Sequence, residues 1–318
     1  MTRRALITGI GGQDGSILAA KLSELDFDVV GTVQPDSNDE LDLPDVRLLE
    51  ADLRDHERCR SVVVDSQPEV VFHFAGISSV GYSWDHPVET AAVNGNSAVA
   101  LLDALLELQT TSGSERTFVN ASSGEIFAGA GVSPQREDTP ISPLSPYGAS
   151  KAFSHTMVQV YRSRGLRASN AIFYNHESTL RPTKFVTRKI TAGAAAIARG
   201  KQSTLELGNL DARRDWGWAP DYVDATILMA NQAAGNDFVI ATGEAHSVRE
   251  FVDAAFRAAG IPDWQHLVIS NDAFGRPADS AEMVGDPSRA KTVLGWEPTK
   301  RFDDVVRAMV EHDLSLIL

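Results

Sequence analysis

The sequence predicts an α/β protein in which helices cover both faces of a doubly wound parallel sheet. Strand-like and helix-like segments alternate through the first half of the chain, which requires crossover connections between parallel strands. Several strand-like segments are continuous apolar runs, as expected when a strand is buried on both faces. A glycine-rich segment separates the first strand from the first helix. Together these observations favour a large parallel sheet with a smaller lobe attached to it.

The predicted elements follow one another in a regular order up to about residue 175. Strands are predicted at 4–8, 27–33, 46–50, 69–74 and 117–121, and a long helix at 93–108. Beyond residue 175 proline, arginine and polar residues cluster, and a helix follows at 185–199. We therefore expect a sheet domain of residues 1–174 plus about 212–243, and a smaller C-terminal α/β lobe of about 175–211 and 244–318.

The composition excludes several classes of protein. The 318 residues include 29 basic and 43 acidic side chains, a net charge of −14, which disfavours nucleic acid or an anionic membrane as a partner. The single cysteine, Cys59, excludes an internal disulfide and a cysteine-cluster metal site. No apolar run approaches the ~20 residues that span a bilayer, and the first residues lack the apolar stretch of a signal peptide. We expect a soluble cytoplasmic protein with no metal site.

Gly9, Gly12 and Gly15 form a G-x-x-G-x-x-G pattern between the first strand and the first helix. Glycines let the backbone approach a pyrophosphate, and the helix N-terminus offers free N–H groups and positive partial charge to it. With Gln13 and Asp14 in the same turn, the pattern predicts a dinucleotide-binding site of the Rossmann type. The first domain is therefore expected to bind the cofactor.

Two further segments bear on that cofactor. Asp52 and Leu53, just after the third strand, suit the adenine edge, with a helix cap as the alternative for Asp52. A 2′-phosphate requires Arg or Lys after the second strand, whereas a free ribose diol requires a carboxylate. Gln34 and Pro35 stand there, and no basic residue follows until Arg47. The local chemistry therefore favours NAD over NADP.

Tyr147 and Lys151 stand four residues apart on a predicted helix and therefore share one face. An ammonium group near a phenol favours the phenolate and lowers its pKa toward a value useful for proton transfer. Upstream, Ser123 and Glu125 follow a strand, at the edge where such sheets bind ligands. With the glycine pattern, these residues predict an enzyme that uses a nicotinamide cofactor.

At this point the sequence resembles the extended short-chain dehydrogenase/reductases, and among them the GDP-mannose 4,6-dehydratase family. The similar segments extend over nearly the whole chain and include ALITGIGGQDGS at 5–16, SPYGASKA at 145–152, YNHES at 174–178, FVTRKI at 185–190 and GNLDARRDWG at 208–217. The later segments lie outside the cofactor region, so the similarity reaches the predicted substrate lobe.

The resemblance implies a lyase that recycles its NAD(P) while acting on a GDP-sugar. Tyr147, helped by Lys151, would take the proton of the sugar 4-hydroxyl while hydride leaves C4 for the nicotinamide. Glu125 would then remove the C5 proton and assist loss of the 6-hydroxyl as water, and the hydride would return to C6. Ser123 stands where the family has threonine, whose hydroxyl can hydrogen-bond O4. The product would be the 4-keto-6-deoxy sugar nucleotide.

The resemblance also implies residues for the substrate. A pyrophosphate in the smaller lobe requires arginine, preferably bidentate. The matching residues are Asn175, Arg188, Lys189, Arg214, Arg276 and Asp279. Lys189 would lie near the guanine, and Asp279 stands where the family has a glutamate that holds the ribose hydroxyls. For each arginine a surface salt bridge is the alternative interpretation.

The sequence also departs from the family. Gln34-Pro35 replaces consecutive arginines that hold the 2′-phosphate and help to bridge subunits in the family. A homodimer through the helices around 93–108 and 147–164 is therefore expected, with a tetramer as the alternative. Ser123-Gly124 replaces a Thr-Ser pair and also resembles related GDP-4-keto-6-deoxy-mannose reductases. A reductase, an epimerase and a non-catalytic dinucleotide sensor are therefore the alternatives to a dehydratase.

Overall fold

The computed structural model describes residues 3–35, 43, 45–271 and 282–317. The strands are β1 (Arg4–Thr8), β2 (Asp28–Val33), β3 (Arg47–Glu50), β4 (Val70–His73), β5 (Thr117–Ser123), β6 (Arg167–Phe173), β7 (Asn175–Glu177), β8 (Leu205–Leu207), β9 (Arg213–Arg214), β10 (Trp216–Trp218), β11 (Asp237–Ile240), β12 (His246–Ser247), β13 (Val268–Ser270) and β14 (Glu282–Met283). The helices are α1 (Gln13–Glu24), α2 (His56–Ser66), α3 (Val80–Asp85), α4 (Pro87–Ala91), α5 (Ser97–Ser112), α6 (Pro146–Ser163), α7 (Val186–Ala198), α8 (Ala219–Ala230), α9 (Val248–Ala258) and α10 (Phe302–Ser315).

Within the described residues, seven parallel strands form a central sheet in the order β11-β6-β5-β4-β1-β2-β3. The first strand lies inside the sheet between β4 and β2, with Ile7 opposite Gly31 of β2 and Thr8 opposite His73 of β4. Every residue of β4 and β5 is buried, as expected for parallel strands that helices cover on both faces. The doubly wound α/β class predicted from the sequence is thereby confirmed. The strand order reverses between β1 and β4, so a ligand crevice is expected at the carboxyl ends of these strands.

Helices pack on both faces of the sheet. On one face α1 and α8 share a core with the strands, in which Leu18 and Leu22 lie in the same cluster as Val223 and Met229. On the other face α2, α5 and α6 form a second core that includes Leu101 and Leu105 of α5 and Val158 of α6. The sheet is therefore covered by a helical layer on each face.

The smaller lobe is assembled from short strands and three helices. β7 pairs with β10, β8 pairs with β13, and β9 lies between β12 and β14. Helices α7, α9 and α10 surround a separate core that includes Ile190, Phe251 and Met309. The chain returns to the central sheet at β11, where Phe238 pairs with Ala171 of β6. The domain boundaries drawn from the sequence stay a prediction.

The helix predicted at 93–108 has a different beginning and end in the structure. A π-helical turn at Ala92–Asn96 precedes α5, and α5 continues to Ser112, where Gly113 adopts a left-handed conformation with φ of 67°. The wide turn carries Asn94, whose Oδ1 accepts a hydrogen bond from the Ile77 amide at 2.7 Å. Apolar periodicity does not predict a π turn, because such a turn differs from the α-helix around it only in its local i→i+5 hydrogen bonds.

The described residues contain neither a membrane-spanning helix nor a cluster of metal ligands. In residues 3–35, 45–271 and 282–317, none of the helices combines the length and apolar character needed to cross a bilayer. Among the same residues, no three His, Cys, Asp or Glu side chains are grouped in a way that could hold a metal ion.

Candidate active site

The glycine loop lies at the carboxyl end of β1, beside the position where the strand order reverses. Gly9 has a φ of +73°, and a Cβ there would lie 2.7 Å from the Ala75 Cα. A Cβ on Gly15 would lie 2.3 Å from the Gly9 carbonyl oxygen, so the loop and α1 approach each other too closely for a side chain. Gly12 is the N-cap of α1 and has no side chain with which to cap it. The loop therefore fits a dinucleotide pyrophosphate, which would accept hydrogen bonds from the first amides of α1.

The side chains of Gln13 and Asp14 point toward the smaller lobe. Asp14 Oδ2 lies 2.9 Å from His176 Nε2, and the Gln13 Oε1 accepts a hydrogen bond of 2.8 Å from the Ser178 hydroxyl. Burial raises the pKa of Asp14, but the charge and hydrogen bond of His176 outweigh it, so the net pKa is lowered. Burial lowers the pKa of His176, but Asp14 reverses that effect and the net pKa is raised. This ion pair joins the glycine loop to the NHES segment and leaves the loop backbone for a ligand.

At the predicted adenine edge, Asp52 is bound by a neighbouring arginine. Arg54 donates from Nη2 to Asp52 Oδ2 at 2.7 Å, and the Arg54 amide also donates to Asp52. The helix cap considered for Asp52 is made instead by Asp55, whose side chain accepts hydrogen bonds from two amides of α2. Leu53 packs at the border of the core beneath α2. The structure thus presents the Asp52–Arg54 pair at this edge.

Arg47 lies at the amino end of β3, opposite Val30, and donates to the carbonyl of Asp65 at 3.1 Å. A 2′-phosphate would lie beyond the carboxyl end of β2, which is the opposite end of this strand pair from Arg47. Gln34 and Pro35 follow β2, and the sequence from there to Val46 contains no Lys or Arg. Position and sequence together leave this segment without a cation for a 2′-phosphate.

Helix α6 begins with a cap that fixes the tyrosine and the lysine. The Ser145 hydroxyl accepts a hydrogen bond of 3.0 Å from the Gly148 amide, and Pro146 occupies the first turn. Lys151, 6% exposed, donates from Nζ to the carbonyl oxygen of Ala121 on β5 at 2.9 Å. The predicted i, i+4 pair therefore lies between α6 and the carboxyl end of β5, where its lysine contacts strand backbone.

Burial controls the ionisation of this pair. It raises the pKa of Tyr147 to about 12, against a hydrogen bond with the Ser123 side chain that lowers it. It also lowers the pKa of Lys151 to about 8, and the nearby carboxylate of Asp14 opposes that shift. Both groups are thus driven toward their neutral forms, and the charges around them decide how much phenolate is present.

Ser123 and Glu125 occupy the turn that follows β5. Ser123 ends the strand, and its hydroxyl accepts a hydrogen bond of 3.2 Å from the Glu125 amide, which caps the 3₁₀ turn Gly124–Phe127. The Glu125 charge raises the pKa of Tyr147, which places the carboxylate within electrostatic range of the phenol. Phenol, ammonium, hydroxyl and carboxylate therefore converge at one end of β5, as an acid–base site requires.

The predicted substrate residues have different environments. Asn175 is the first residue of β7, opposite Trp216, and Lys189 is half-buried on α7. Arg214 is buried on β9, and its Nη1 donates to the carbonyl of Arg213 at 2.7 Å. Arg276 and Asp279 lie outside the described residues.

Arg188 is held inside the lobe. Its Nη2 lies 2.6 Å and its Nε 2.9 Å from Asp313 of α10, and its Nη1 donates to the carbonyl of Thr179. The resemblance implied a pyrophosphate ligand at this position, with a surface salt bridge as the alternative, and the structure shows a salt bridge that is buried. Asp313 is 125 positions away in the sequence, so no local sequence pattern predicts this ion pair.

Three residues of this region were not singled out from the sequence. The Arg181 charge lowers the pKa values of Tyr147 and Asp14, and its guanidinium lies 3.8 Å from the ring centroid of Phe185. Asn94 joins the loop after β4 to Ser150 of α6. Asp215 is fully buried, which raises its pKa to about 6, against hydrogen bonds from Thr242 and two glycine amides that lower it. Position in the sequence could have pointed to two of these residues. Arg181 lies shortly after the NHES segment, and Asp215 directly follows Arg214.

Solved structures share this architecture. The UDP-glucose 4-epimerase of Thermotoga maritima superposes with a TM-score of 0.87 at 24% identity, covering 99% of this chain and 100% of that one. The UDP-glucose 4-epimerase of Thermus thermophilus, solved with NAD, gives a TM-score of 0.83 at 28% identity, covering 98% of each chain. These comparisons agree with the Rossmann-type sheet described above.

Sequence comparison gives a narrower result. The model of the GDP-mannose 4,6 dehydratase family matches residues 6–309. GDP-mannose 4,6 dehydratase 2 of Arabidopsis thaliana is 40% identical over 98% of this chain and 87% of its own length. The GDP-mannose 4,6 dehydratase of Homo sapiens is 37% identical over 98% of this chain and 92% of its own length. The resemblance inferred from the motifs is confirmed, and the chain belongs to the GDP-mannose 4,6-dehydratase family.

Proposed function

We propose that the site at the end of β5 converts a GDP-hexose, with GDP-mannose as the expected substrate, into its 4-keto-6-deoxy derivative and water. The observation that carries the proposal is the convergence of Tyr147, Lys151, Ser123 and Glu125. This set contains a proton acceptor for oxidation of an alcohol and a separate acid–base group for an elimination. A simple reductase needs the first but not the second.

The first half of the reaction is oxidation at C4. Tyr147 accepts the proton of the 4-hydroxyl, Ser123 hydrogen-bonds O4, and the ammonium group of Lys151 stabilises the phenolate form of Tyr147. A bound nicotinamide supplies the hydride acceptor for C4 and later the hydride donor for C6.

The second half is elimination across C5 and C6. The C4 ketone acidifies the C5 proton, and the Glu125 carboxylate removes it. Glu125 then gives this proton to the 6-hydroxyl, so the C6–O bond breaks, water leaves and a C5–C6 double bond forms. Reduction at C6 is accompanied by return of the Tyr147 proton to C5. Both side chains end in their starting states, and each hexose loses one water with no net redox change.

For the cofactor we propose NAD, recycled in each turnover. The loop backbone at Gly9, Gly12 and Gly15 supports a pyrophosphate, and the Asp52–Leu53 edge supports the adenine. Residues 36–42, which have the sequence DSNDELD, contain four carboxylates and no cation, which disfavours a 2′-phosphate. The Thermus thermophilus epimerase, 28% identical, was solved with NAD.

For the GDP-sugar we propose contacts from Asn175, Lys189 and Arg214 in the smaller lobe, with Arg276 and Asp279 added from outside the described residues. Arg188 would act in this set by holding the segment before α7 through the Thr179 carbonyl. A buried arginine paired with a carboxylate is well suited to fix such a segment.

We also propose a homodimer formed through α5 and α6. Phe153 and Val160 lie seven residues apart on α6 and are 46% and 43% exposed, so one face of this helix presents apolar side chains that a second subunit could cover. Cytoplasmic location stays a prediction, which fractionation of cells that make the tagged chain would test.

The test uses the purified protein, GDP-mannose and no added cofactor, with mass spectrometry to detect loss of one water. Glu125→Gln should lower product formation by about 10²- to 10⁴-fold, the usual contribution of a general acid–base group, while C4 oxidation continues. Glu24→Gln, at an exposed residue of α1, is the matched control and should keep full activity. Consumption of one reduced cofactor per 4-keto sugar, without water loss from GDP-mannose, would instead identify a reductase. The mass of nucleotide released on denaturation distinguishes NAD from NADP.

A further inference from the structure

The structure gives a physical reason for the glycine at position 124. A Cβ at Gly124 would lie 2.9 Å from Cζ of Tyr174 and 3.1 Å from both Cε atoms of that ring. Contacts below 3.0 Å do not occur for real Cβ atoms without displacement of one partner. The Tyr174 ring therefore occupies the space that a side chain at position 124 would need.

The Tyr174 ring has no space to move away from position 124, because Gly285 and Gln135 lie close to it. Tyr174 is 3% exposed, and a Cβ on Gly285 would lie 2.7 Å from one of its Cε atoms. Its hydroxyl donates to Gln135 Oε1 at 2.7 Å. Gln135 is fixed in turn by backbone hydrogen bonds of 2.8 Å with Val284 and with Asp286. Tyr174 is thus a rigid ring held from two sides and at its tip.

The 3₁₀ turn Gly124–Phe127, which meets the Tyr174 ring at Gly124, also carries Glu125. A Cβ on Gly148, the residue after Tyr147, would lie 2.7 Å from the Glu125 carbonyl oxygen. The Glu125 amide is held by the Ser123 hydroxyl. The backbone of the turn is therefore confined between the Tyr174 ring and the first turn of α6, with no free space at either surface.

We propose that Tyr174 is a positioning residue that fixes the Glu125 carboxylate for the elimination half of the reaction. The inference rests on the proposed function, in which Glu125 acts at C5 and C6. Tyr147 and Lys151 are held by other contacts, namely the Ser145 cap and the Ala121 carbonyl. Disturbing the Gly124–Tyr174 contact should therefore impair elimination more than C4 oxidation.

The first variant is Gly124→Ala, loaded with NAD and mixed with GDP-mannose. We expect reduced nicotinamide to accumulate, seen by its absorbance, while release of water slows by about 100-fold, the effect of a displacement of roughly 1 Å. Gly124→Ala/Tyr174→Leu, which removes the obstructing ring, should recover part of the elimination rate. Gly81→Ala is the matched control, since its nearest neighbour to a new Cβ is Ser79 Oγ at 3.9 Å.

A second variant keeps the test decisive if Gly124→Ala folds poorly, and an unfolding measurement applies if it folds. Tyr174→Phe keeps the ring but loses the hydrogen bond to Gln135, and it should reduce elimination selectively and by a smaller factor. In urea unfolding of the cofactor-free protein, the two substitutions at 124 and 174 should be non-additive, because each residue is the other's contact.

The outcomes separate the inference from the proposed function. If the wild-type protein releases no water from GDP-mannose, the proposed function fails and the inference fails with it. If the wild type is active but Gly124→Ala and Tyr174→Phe reduce both half-reactions equally, or change neither, only the inference is overturned. Additive unfolding midpoints would also overturn it.

Discussion

At the residue scale, the main property of the site is that its two central groups are pushed toward neutrality. Burial raises the pKa of Tyr147 to about 12 and lowers that of Lys151 to about 8. Neighbouring charges must therefore lower the pKa of Tyr147 for the phenolate to form. The Asp14 carboxylate opposes the effect of burial on Lys151, and the Arg181 guanidinium lowers the pKa of Tyr147. The glycine loop and the NHES segment thus contribute electrostatics as well as contacts.

Asp14→Asn tests this influence. The substitution removes a negative charge that raises the pKa of Lys151, of Tyr147 and of His176. All three pKa values should fall, so the profile of kcat/KM against pH should move to lower pH. The measurement is the pH dependence of initial rates. Asp28→Asn, at the amino end of β2 where the carboxylate pairs with Arg4, should leave the profile in place. An unmoved profile for Asp14→Asn would mean that its charge does not reach the pair.

At the element scale, strands and helices were predicted well where local sequence determines them. The strands predicted at 4–8 and 46–50 agree with β1 and β3 within one residue, because apolar runs end at residues that leave the sheet. The glycine loop was equally readable, since its conformation depends on residues next to one another. Partners distant in sequence were not: the pairing of Asp14 with His176 and of Arg188 with Asp313 depends on the folded chain. The cofactor motifs can therefore be predicted from the sequence more completely than the contacts of the smaller lobe.

The cap of α6 gives a prediction at this scale. Ser145→Ala removes the hydroxyl that accepts from the Gly148 amide, and the free energy of unfolding should fall by about 1 kcal/mol. Urea denaturation followed by circular dichroism measures it. Ser163→Ala, at the exposed other end of the same helix, is the matched control and should change stability much less. Equal losses of unfolding free energy in the two variants would show that the Ser145 cap does not stabilise α6 more than Ser163 does.

At the scale of the whole molecule, a buried ion pair joins two helices of the smaller lobe. Arg188 of α7 and Asp313 of α10 are 7% and 3% exposed, and the pair closes a loop of more than a third of the chain. Loss of one partner would leave a charge buried without compensation. Such losses are far larger than those of exposed pairs.

Asp313→Ala should therefore lower the free energy of unfolding by about 3–5 kcal/mol. The comparison is Glu244→Ala, which removes an exposed partner of Arg301 and should cost at most about 1 kcal/mol. Urea denaturation of both variants beside the wild type measures the difference. A loss of less than 1 kcal/mol for Asp313→Ala would mean that Arg188 finds another partner or reaches solvent.

The return of the chain to the sheet at β11 limits how this protein can be divided. A fragment that stopped at residue 174 would lack both β11 and α8, leaving the outer edge of β6 with unpaired amides and carbonyls. It would also uncover Leu18 and Leu22, which share a core with α8. Exchange of either half with that of a related protein would therefore leave one sheet edge and one core face without their partners.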